Sequence, residues 1–332
     1  MKYDFTSIID RHGRDSIAVD GLKGDGFSPA PPKEGFDAIP MWVADMNFPT
    51  VPTIQQAIIE RASHPAFGYF EAPPEYYKAI IRWQETRHGV TGLKPRHIGY
   101  ENGVLGGVIS ALNCICSRGD NVLVHSPTYI GFTSSLKNNG YEAVHSPLVR
   151  DENGIWRMDY ADMEKQLREK KIHAAILCNP HNPCGRVWER WELEKAMELY
   201  RKYDVYVITD EVYEHIVYAP HTHTYFATLP GMWERTISCS SLSKTYSVTG
   251  WRLGYVIAPA PIIERSKKVH DFLTVGAAAP LQEAVIPGLK FGQDYYDDLL
   301  QKYTHKRDLF CKGLDDLGLV HNIPQGAYYV ML

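Results

Sequence analysis

The 332-residue chain has no apolar run long enough to cross a bilayer and no cluster of lysine and arginine. The first absence excludes a membrane-spanning helix, which needs about 20 consecutive apolar residues. The second removes the electrostatic footprint expected of a nucleic-acid or anionic-membrane binder, and a formal net charge of −4 points the same way. The six cysteines, at 114, 116, 178, 184, 239 and 311, form no Cys-x-x-Cys pair and no metal-ligand spacing. Scattered thiols suit a reducing cytosol. Residues 1–10 lack the apolar centre of a signal peptide, so a cytoplasmic location is expected. No internal repeat or low-complexity tract breaks the chain. The fourteen histidines are dispersed. His181 and His215 fall near the motifs below, but as isolated histidines they read as packed or solvated side chains.

What is present is a long alternation of apolar strands and amphipathic helices, in a chain long enough for roughly two domains and a large core. Residues 1–40 are loop-rich, broken by Gly21, Gly24, Gly26, Pro29, Pro31 and Pro32. Residues 39–43 look strand-like. They lead to a helix start with Thr50 as N-cap and Pro52 in the first turn, followed by Ile54, Ile58, Ile59 and Ala62 at helical spacing. A second helix is expected over residues 74–88. Tyr100-Glu-Asn-Gly-Val-Leu-Gly-Gly reads as a strand end, a glycine turn and a helix start. That geometry offers backbone N–H groups and the positive end of a helix dipole to an anion. Strands are then expected over 121–125, 141–145, 174–178 and 205–209, with helices over 160–167 and 189–203 between them. Repeated strand–helix–strand units indicate a mostly parallel sheet flanked by helices, with ligands at the C-terminal ends of the strands. Asn182, Asp210, Tyr213 and Lys244 all fall just after strands.

The stretch Thr236 to Ala258 carries the chemistry. It reads as strand, polar loop, strand, and the loop holds one lysine, Lys244, among Ser241, Ser243, Thr245 and Ser247. A lysine held away from water loses its proton more easily and is suited to forming a Schiff base. Small hydroxyls and Arg252, eight residues on, are what a phosphate dianion needs. Lysine plus phosphate site suggests pyridoxal 5'-phosphate (PLP), held by an imine and by its phosphate.

Ser-Leu-Ser-Lys followed by Gly-Trp-Arg-Leu-Gly-Tyr resembles the lysine signature of the fold-type I PLP enzymes of the class I/II aminotransferase family, and the resemblance covers nearly the whole chain. It implies an α/β, three-layer fold with a mostly parallel central sheet and a smaller α/β domain. Residues 1–50 would contribute to the small domain, 51–290 would form the large PLP-binding domain, and 291–332 would begin the C-terminal small domain. It also implies site residues. Lys244 would carry the cofactor and act as general base, and Asp210 would face the pyridine nitrogen. Asn182 and Tyr213 would donate to the ring hydroxyl, and Tyr129 would stack on the ring. Gly103, Val104, Leu105, Ser241, Ser243 and Arg252 would hold the phosphate. Ala44 would lie beside the substrate carboxylate. Tyr69, in Phe-Gly-Tyr, would reach the phosphate of a neighbouring subunit, implying a homodimer with shared active sites.

Two reactions are compatible with these residues. Asp-Glu-Val-Tyr-Glu-His, Thr-Gly-Trp-Arg-Leu-Gly-Tyr and Val-His-Asp-Phe-Leu-Thr-Val-Gly resemble aminotransferases, which move an amino group between an amino acid and a 2-oxo acid. Met-Trp-Val-Ala-Asp-Met-Asn-Phe and Asn-Pro-His-Asn-Pro-Cys-Gly-Arg-Val-Trp resemble the C–S β-lyase (cystathionine β-lyase) branch, which usually has histidine where Tyr213 stands. The balance favours the aminotransferase. A PLP-sensing regulator would need a DNA-binding segment, and none is seen. The chain ends in Tyr-Tyr-Val-Met-Leu, read as an apolar strand. The family continues for a few dozen residues with the arginine that grips the substrate carboxylate, so the small domain is expected to be incomplete here.

Overall fold

Eight strands make one sheet: β1 (Ile98–Asn102), β2 (Asn121–Ser126), β3 (Glu142–Arg150), β4 (Trp156–Met158), β5 (Ala174–Cys178), β6 (Tyr206–Asp210), β7 (Thr236–Ser240) and β8 (Leu253–Ile257). Their spatial order is β1-β8-β7-β6-β5-β2-β3-β4. Neighbours from β7 through β6, β5 and β2 to β3 run parallel. β8 is antiparallel to both β1 and β7, and β4 is antiparallel to β3. The structure, a computed structural model, describes residues 3–26, 28–274, 276 and 278–332, with backbone only at 273 and 279. Val275, in the Val-His-Asp-Phe-Leu-Thr-Val-Gly stretch, lies outside the described residues. The helices described are α1 (Ile17–Asp20), α2 (Pro52–Ser63), α3 (Pro74–His88), α4 (Val104–Ile115), α5 (Ile130–Asn138), α6 (Tyr160–Glu169), α7 (Arg190–Lys202), α8 (Ala260–Thr274), α9 (Ala279–Gly288) and α10 (Gln293–Asp316). None is long and apolar enough to cross a membrane.

The layering follows from the strand sequences. β5, β7 and β8 are buried at every position, as a mostly parallel sheet covered on both faces requires of its inner strands. Alternate residues go to opposite sides. Val122, Val124, Ala174, Ile176 and Ile208 pack with Val108, Ala111 and Leu112 of α4, Phe132 of α5 and Ile263 of α8. Leu123, Ala175, Leu177 and Val207 pack with Met163 and Leu167 of α6 and Leu193, Ala196 and Tyr200 of α7. A third cluster joins α2, α3, α9 and α10 to the N-terminal segment. In it Phe5 meets Phe48 edge-on and packs against Tyr295, and Phe48 meets Tyr303 edge-on.

Three local expectations are corrected. Residues 39–43 form no strand, and they run without a ladder partner to bond their backbone. Thr50 is not the cap of α2. Val51 is the N-cap, without a side-chain bond, and Pro52 is the first helical residue. The Thr50 hydroxyl is buried with no protein partner. The last residues are not a strand edge either, because their backbone bonds go to loops. Gln325 and Gly326 donate to Gly185 O, Ala327 donates to Ile216 O, and Tyr218 donates to Gln325 O. Asn322 and Met331 close the segment on itself through a backbone bond and the Asn322 side chain.

Candidate active site

The loops after β1, β2, β5, β6 and β7 open on one edge of the sheet. β6 ends in Asp210, and the chain turns so that Asp210 and Tyr213 face one way while Glu211 and Glu214 face the other. The turn is fixed from behind. Glu211 accepts from Thr209 Oγ1 at 3.0 Å and from Phe226 N–H at 3.2 Å. Glu214 lies 2.9 Å from both His88 Nε2 and His215 Nε2. Burial pushes the Glu214 carboxyl up, but the two histidines outweigh it and hold it well below its ordinary value. Charge anchored under the turn leaves Asp210 and Tyr213 little freedom.

Asp210 is buried, and its Oδ1 accepts from Val212 N–H at 3.2 Å. Burial pushes its carboxyl up to about 6, against the pull of that bond and of Lys244. Lys244 sits between β7 and β8, half-buried, with Nζ donating to Ala44 O at 2.6 Å. Burial lowers its pKa, Asp45 and Asp210 oppose the shift, and Arg252 adds to it. A lysine of this kind releases its proton more readily than a surface lysine.

Tyr213 and Asn182 meet at a residue that sequence reasoning missed. Asn182 Nδ2 donates to Tyr329 Oη at 3.1 Å, and the hydroxyls of Tyr213 and Tyr329 are hydrogen-bonded. Tyr328 was missed as well. Its hydroxyl donates to Ala44 O at 3.1 Å, on the carbonyl that also holds Lys244. The only local signal was a tyrosine pair after Gly326. Asp45 was also passed over. It pairs with Arg11 at 2.9 Å and accepts from Thr249 Oγ1, which ties the N-terminal segment across the lysine loop.

The phosphate-type features converge at the β1–α4 turn. Gly103 caps α4 with φ +80° and no side-chain bond. The N–H groups of Val104, Leu105 and Gly106 therefore start a helix without intrahelical acceptors. Arg252 lies over this turn, donating to Asn102 O at 3.3 Å and to Thr249 O at 2.9 Å. A Cβ on Gly103 would stand 2.3 Å from Arg252 Nη2. Ser241 and Ser243 are buried beside it with their hydroxyls 2.6 Å apart, and Ser241 Oγ also accepts from Ser243 N–H at 3.0 Å. Tyr129 folds back over Gly131, and burial, with Asp210, pushes its hydroxyl pKa up while Arg252 opposes the shift. Tyr69 stands 99% exposed and takes no part in its own chain's cluster.

Residues 38–332 match the family model of aminotransferase class I and II. The chain belongs to this family. A cystathionine beta-lyase, PatB of Bacillus subtilis (strain 168), is 35% identical over 224 residues, 67% of this chain and 57% of that protein. A bifunctional aspartate aminotransferase and glutamate/aspartate-prephenate aminotransferase of Petunia hybrida is 32% identical over 305 residues, 90% of this chain and 63% of that protein. The chain thus spans less than two thirds of the length of these curated relatives. The PLP-bound C-S lyase from Staphylococcus hominis superposes with a TM-score of 0.85 at 27% identity, over 98% of this chain and 81% of that chain. The fold is that of the fold-type I PLP enzymes.

The residues present fit the cofactor of this class I and II family. A lysine with its pKa lowered by burial, a buried carboxylate, an amide–phenol pair and an uncapped helix start beside an arginine match in chemical type its aldehyde, ring nitrogen, ring hydroxyl and phosphate.

Proposed function

We propose that this protein is a PLP-dependent aminotransferase acting on an L-amino acid and a 2-oxo acid. The observation that carries the PLP-dependence is Lys244: a half-buried ammonium with a depressed pKa, donating to the Ala44 carbonyl and acted on by the Asp210 carboxylate. PLP, when bound, supplies the electron sink that makes a substrate Cα–H acidic. Lys244 would hold the aldehyde carbon covalently and, once released, take the Cα proton on Nζ. Asp210 would hold the ring nitrogen in its protonated form, a carboxylate shielded from water being most effective there. Asn182 and Tyr213 would donate to the ring hydroxyl, and Tyr129 would cover the ring face. Val104 and Leu105 N–H, the Gly103 turn, Ser241, Ser243 and Arg252 would take the phosphate. The Ala44 backbone would border the substrate carboxylate. Tyr69 would complete the phosphate site of a second copy, making the active unit a homodimer.

The phosphate turn yields a direct test. A Cβ on Gly254 would lie 2.7 Å from Gly103 Cα and 2.8 Å from Gly103 N, and backbone atoms cannot swing aside. Overpacking of this kind costs about 1–3 kcal/mol. Gly254→Ala is expected to displace the Gly103 turn and weaken PLP binding by roughly 10–100-fold, read by equilibrium dialysis. Wild-type affinity in a folded variant would remove this turn from the cofactor site.

Transamination and β-elimination both begin with loss of the Cα proton and part afterwards. Tyr213 in Asp-Glu-Val-Tyr and Arg252 in Gly-Trp-Arg support transamination. The second reading, a C–S β-lyase, is supported by the 35% identity to the PatB lyase. The deciding assay gives the enzyme an amino acid and 2-oxoglutarate, with glutamate and the matching oxo acid expected. In parallel it receives cystathionine without an oxo acid. Sustained pyruvate, ammonia and thiol in the second vessel, with no glutamate in the first, would replace the aminotransferase with the lyase.

A further inference from the structure

Tyr329 lies in the segment that follows Pro324 and is brought to the β5 and β6 loops only by the fold. Its ring stands edge-on to Tyr213, centroids 5.6 Å apart at 86°. Its hydroxyl accepts from Asn182 Nδ2 at 3.1 Å and is bonded to the Tyr213 hydroxyl. Either phenol can donate in the Tyr213–Tyr329 bond, and counting protons shows which direction leaves Tyr213 a proton for a ligand. An amide nitrogen has two N–H donors, and a phenol has one donor and can accept. Asn182 uses one N–H on Tyr329 and keeps the other. The Tyr329 oxygen, already accepting, has its own proton to give. If that proton goes to Tyr213, the Tyr213 proton is left to point outward. If Tyr213 donated to Tyr329 instead, it would have no proton for a ligand.

We propose that Tyr329 is a positioning residue: it passes a directed hydrogen-bond chain, Asn182 N–H to Tyr329 O–H to Tyr213 O–H, that aims and strengthens the Tyr213 donor. The proposal rests on the reading in which Asn182 and Tyr213 address the ring hydroxyl of PLP. Serial hydrogen bonds polarise one another, strengthening each by roughly 10–30%, so Tyr213 backed by Tyr329 donates more strongly than Tyr213 alone. The other titratable groups around the pair are Asp210, Tyr129, Cys178 and Tyr328. The Tyr328 hydroxyl donates to Ala44 O, and its oxygen is also a hydrogen-bond partner of Tyr213 that a ligand must outcompete for the Tyr213 proton. Asp210 Oδ1 faces Val212 N–H, and the Cys178 thiol faces Pro180 O and Asn182 N–H.

A stronger donor to the ring oxygen lowers the pKa at which the lysine–cofactor linkage loses its proton, and this is read from its visible absorption during a pH titration, independently of turnover. Tyr329→Phe keeps the ring and removes the chain. It is expected to raise that pKa by a few tenths of a unit, roughly 0.2–0.6. Tyr213→Phe should raise it further. The double variant should match Tyr213→Phe alone, because Tyr329 acts through Tyr213. A Tyr329→Phe titration identical to wild type, beside a shifted Tyr213→Phe, would overturn the role of Tyr329 and leave the site reading standing. Additive shifts in the double variant would overturn it too, by showing that Tyr329 acts separately. No shift in Tyr213→Phe would overturn the ring-hydroxyl reading and this proposal with it. Near-UV circular dichroism of the Phe variant checks that the segment has stayed in place.

Discussion

Lys244→Ala is expected to abolish borohydride-stable attachment of PLP and to lower turnover by at least the 10²–10⁴-fold typical of removing a positioned acid–base group. The expectation follows from placement. Lys244 Nζ bonds Ala44 O, burial lowers its pKa, and Asp45 and Asp210 limit how far it falls. Among the described residues, Lys244 is the lysine whose Nζ bonds Ala44 O. After reduction with borohydride, mass spectrometry should find the adduct on the Lys244 peptide of the wild type and nowhere on the variant. A reducible adduct on the alanine protein would end the assignment. The same variant tests the shared site. Mixed and re-associated with Tyr69→Phe subunits, it should regain activity at about one quarter of the sites, since random pairing makes half the dimers mixed and each mixed dimer has one intact site. No regain after re-association would count against a role for Tyr69 across subunits.

Asp210→Asn should move function and stability in opposite directions. Asp210 is buried and its carboxyl is raised to about 6 from 3.8. With the folded pKa above the unfolded one, the native state holds the extra proton between these two values. The stability from the protonated form is fully present below about 3.8 and is lost as pH rises through about 6. The cofactor-free protein therefore carries, at pH 7.5, a cost of up to about 3 kcal/mol that is absent at pH 3.5. Asparagine keeps the acceptor for Val212 N–H and carries no charge. Cofactor-free Asp210→Asn is expected to unfold at higher urea than wild type at pH 7.5, with the gap closing towards pH 3.5. The loaded enzyme should lose activity by roughly 10²–10⁴-fold, the size of breaking a buried charge pair at about 3–5 kcal/mol. A urea midpoint at pH 7.5 no higher than wild type would refute the buried, strained carboxylate. Full activity would refute its place at the ring nitrogen.

Much of the strand–helix alternation was legible because it is local. β5 is the apolar run Ala-Ala-Ile-Leu-Cys and β6 centres on Val207 and Ile208, each followed by a polar turn, and α3 begins at Pro74 and stops before Gly89, which takes φ +67°. Where local patterning had no partner to meet, it misled. Residues 39–43 and the end of the chain are apolar enough for strands, but residues 39–43 meet no ladder and the end of the chain makes only a single antiparallel bridge, Gly326 to Val217.

The site divides along the same line. The sequence by itself determined Lys244, Asp210, Asn182, Tyr213 and the Gly103 turn as candidates, since each sits where a strand ends and a parallel sheet gathers such ends on one edge. It also determined the chemistry that those side chains allow. Only the tertiary structure decided that the Ala44 carbonyl holds Lys244, that Asp45 bonds Thr249 and Arg11, and that Tyr329 joins Asn182 to Tyr213. These partners are separated by 200, 204 and 147 positions for the pairs Ala44–Lys244, Asp45–Thr249 and Asn182–Tyr329. No periodicity reaches across such distances. Packing of Phe5 and Phe48 against α10, and the bonds from Gln325, Gly326 and Ala327 to Gly185 and Ile216, bring both ends of the chain to the same strand edge.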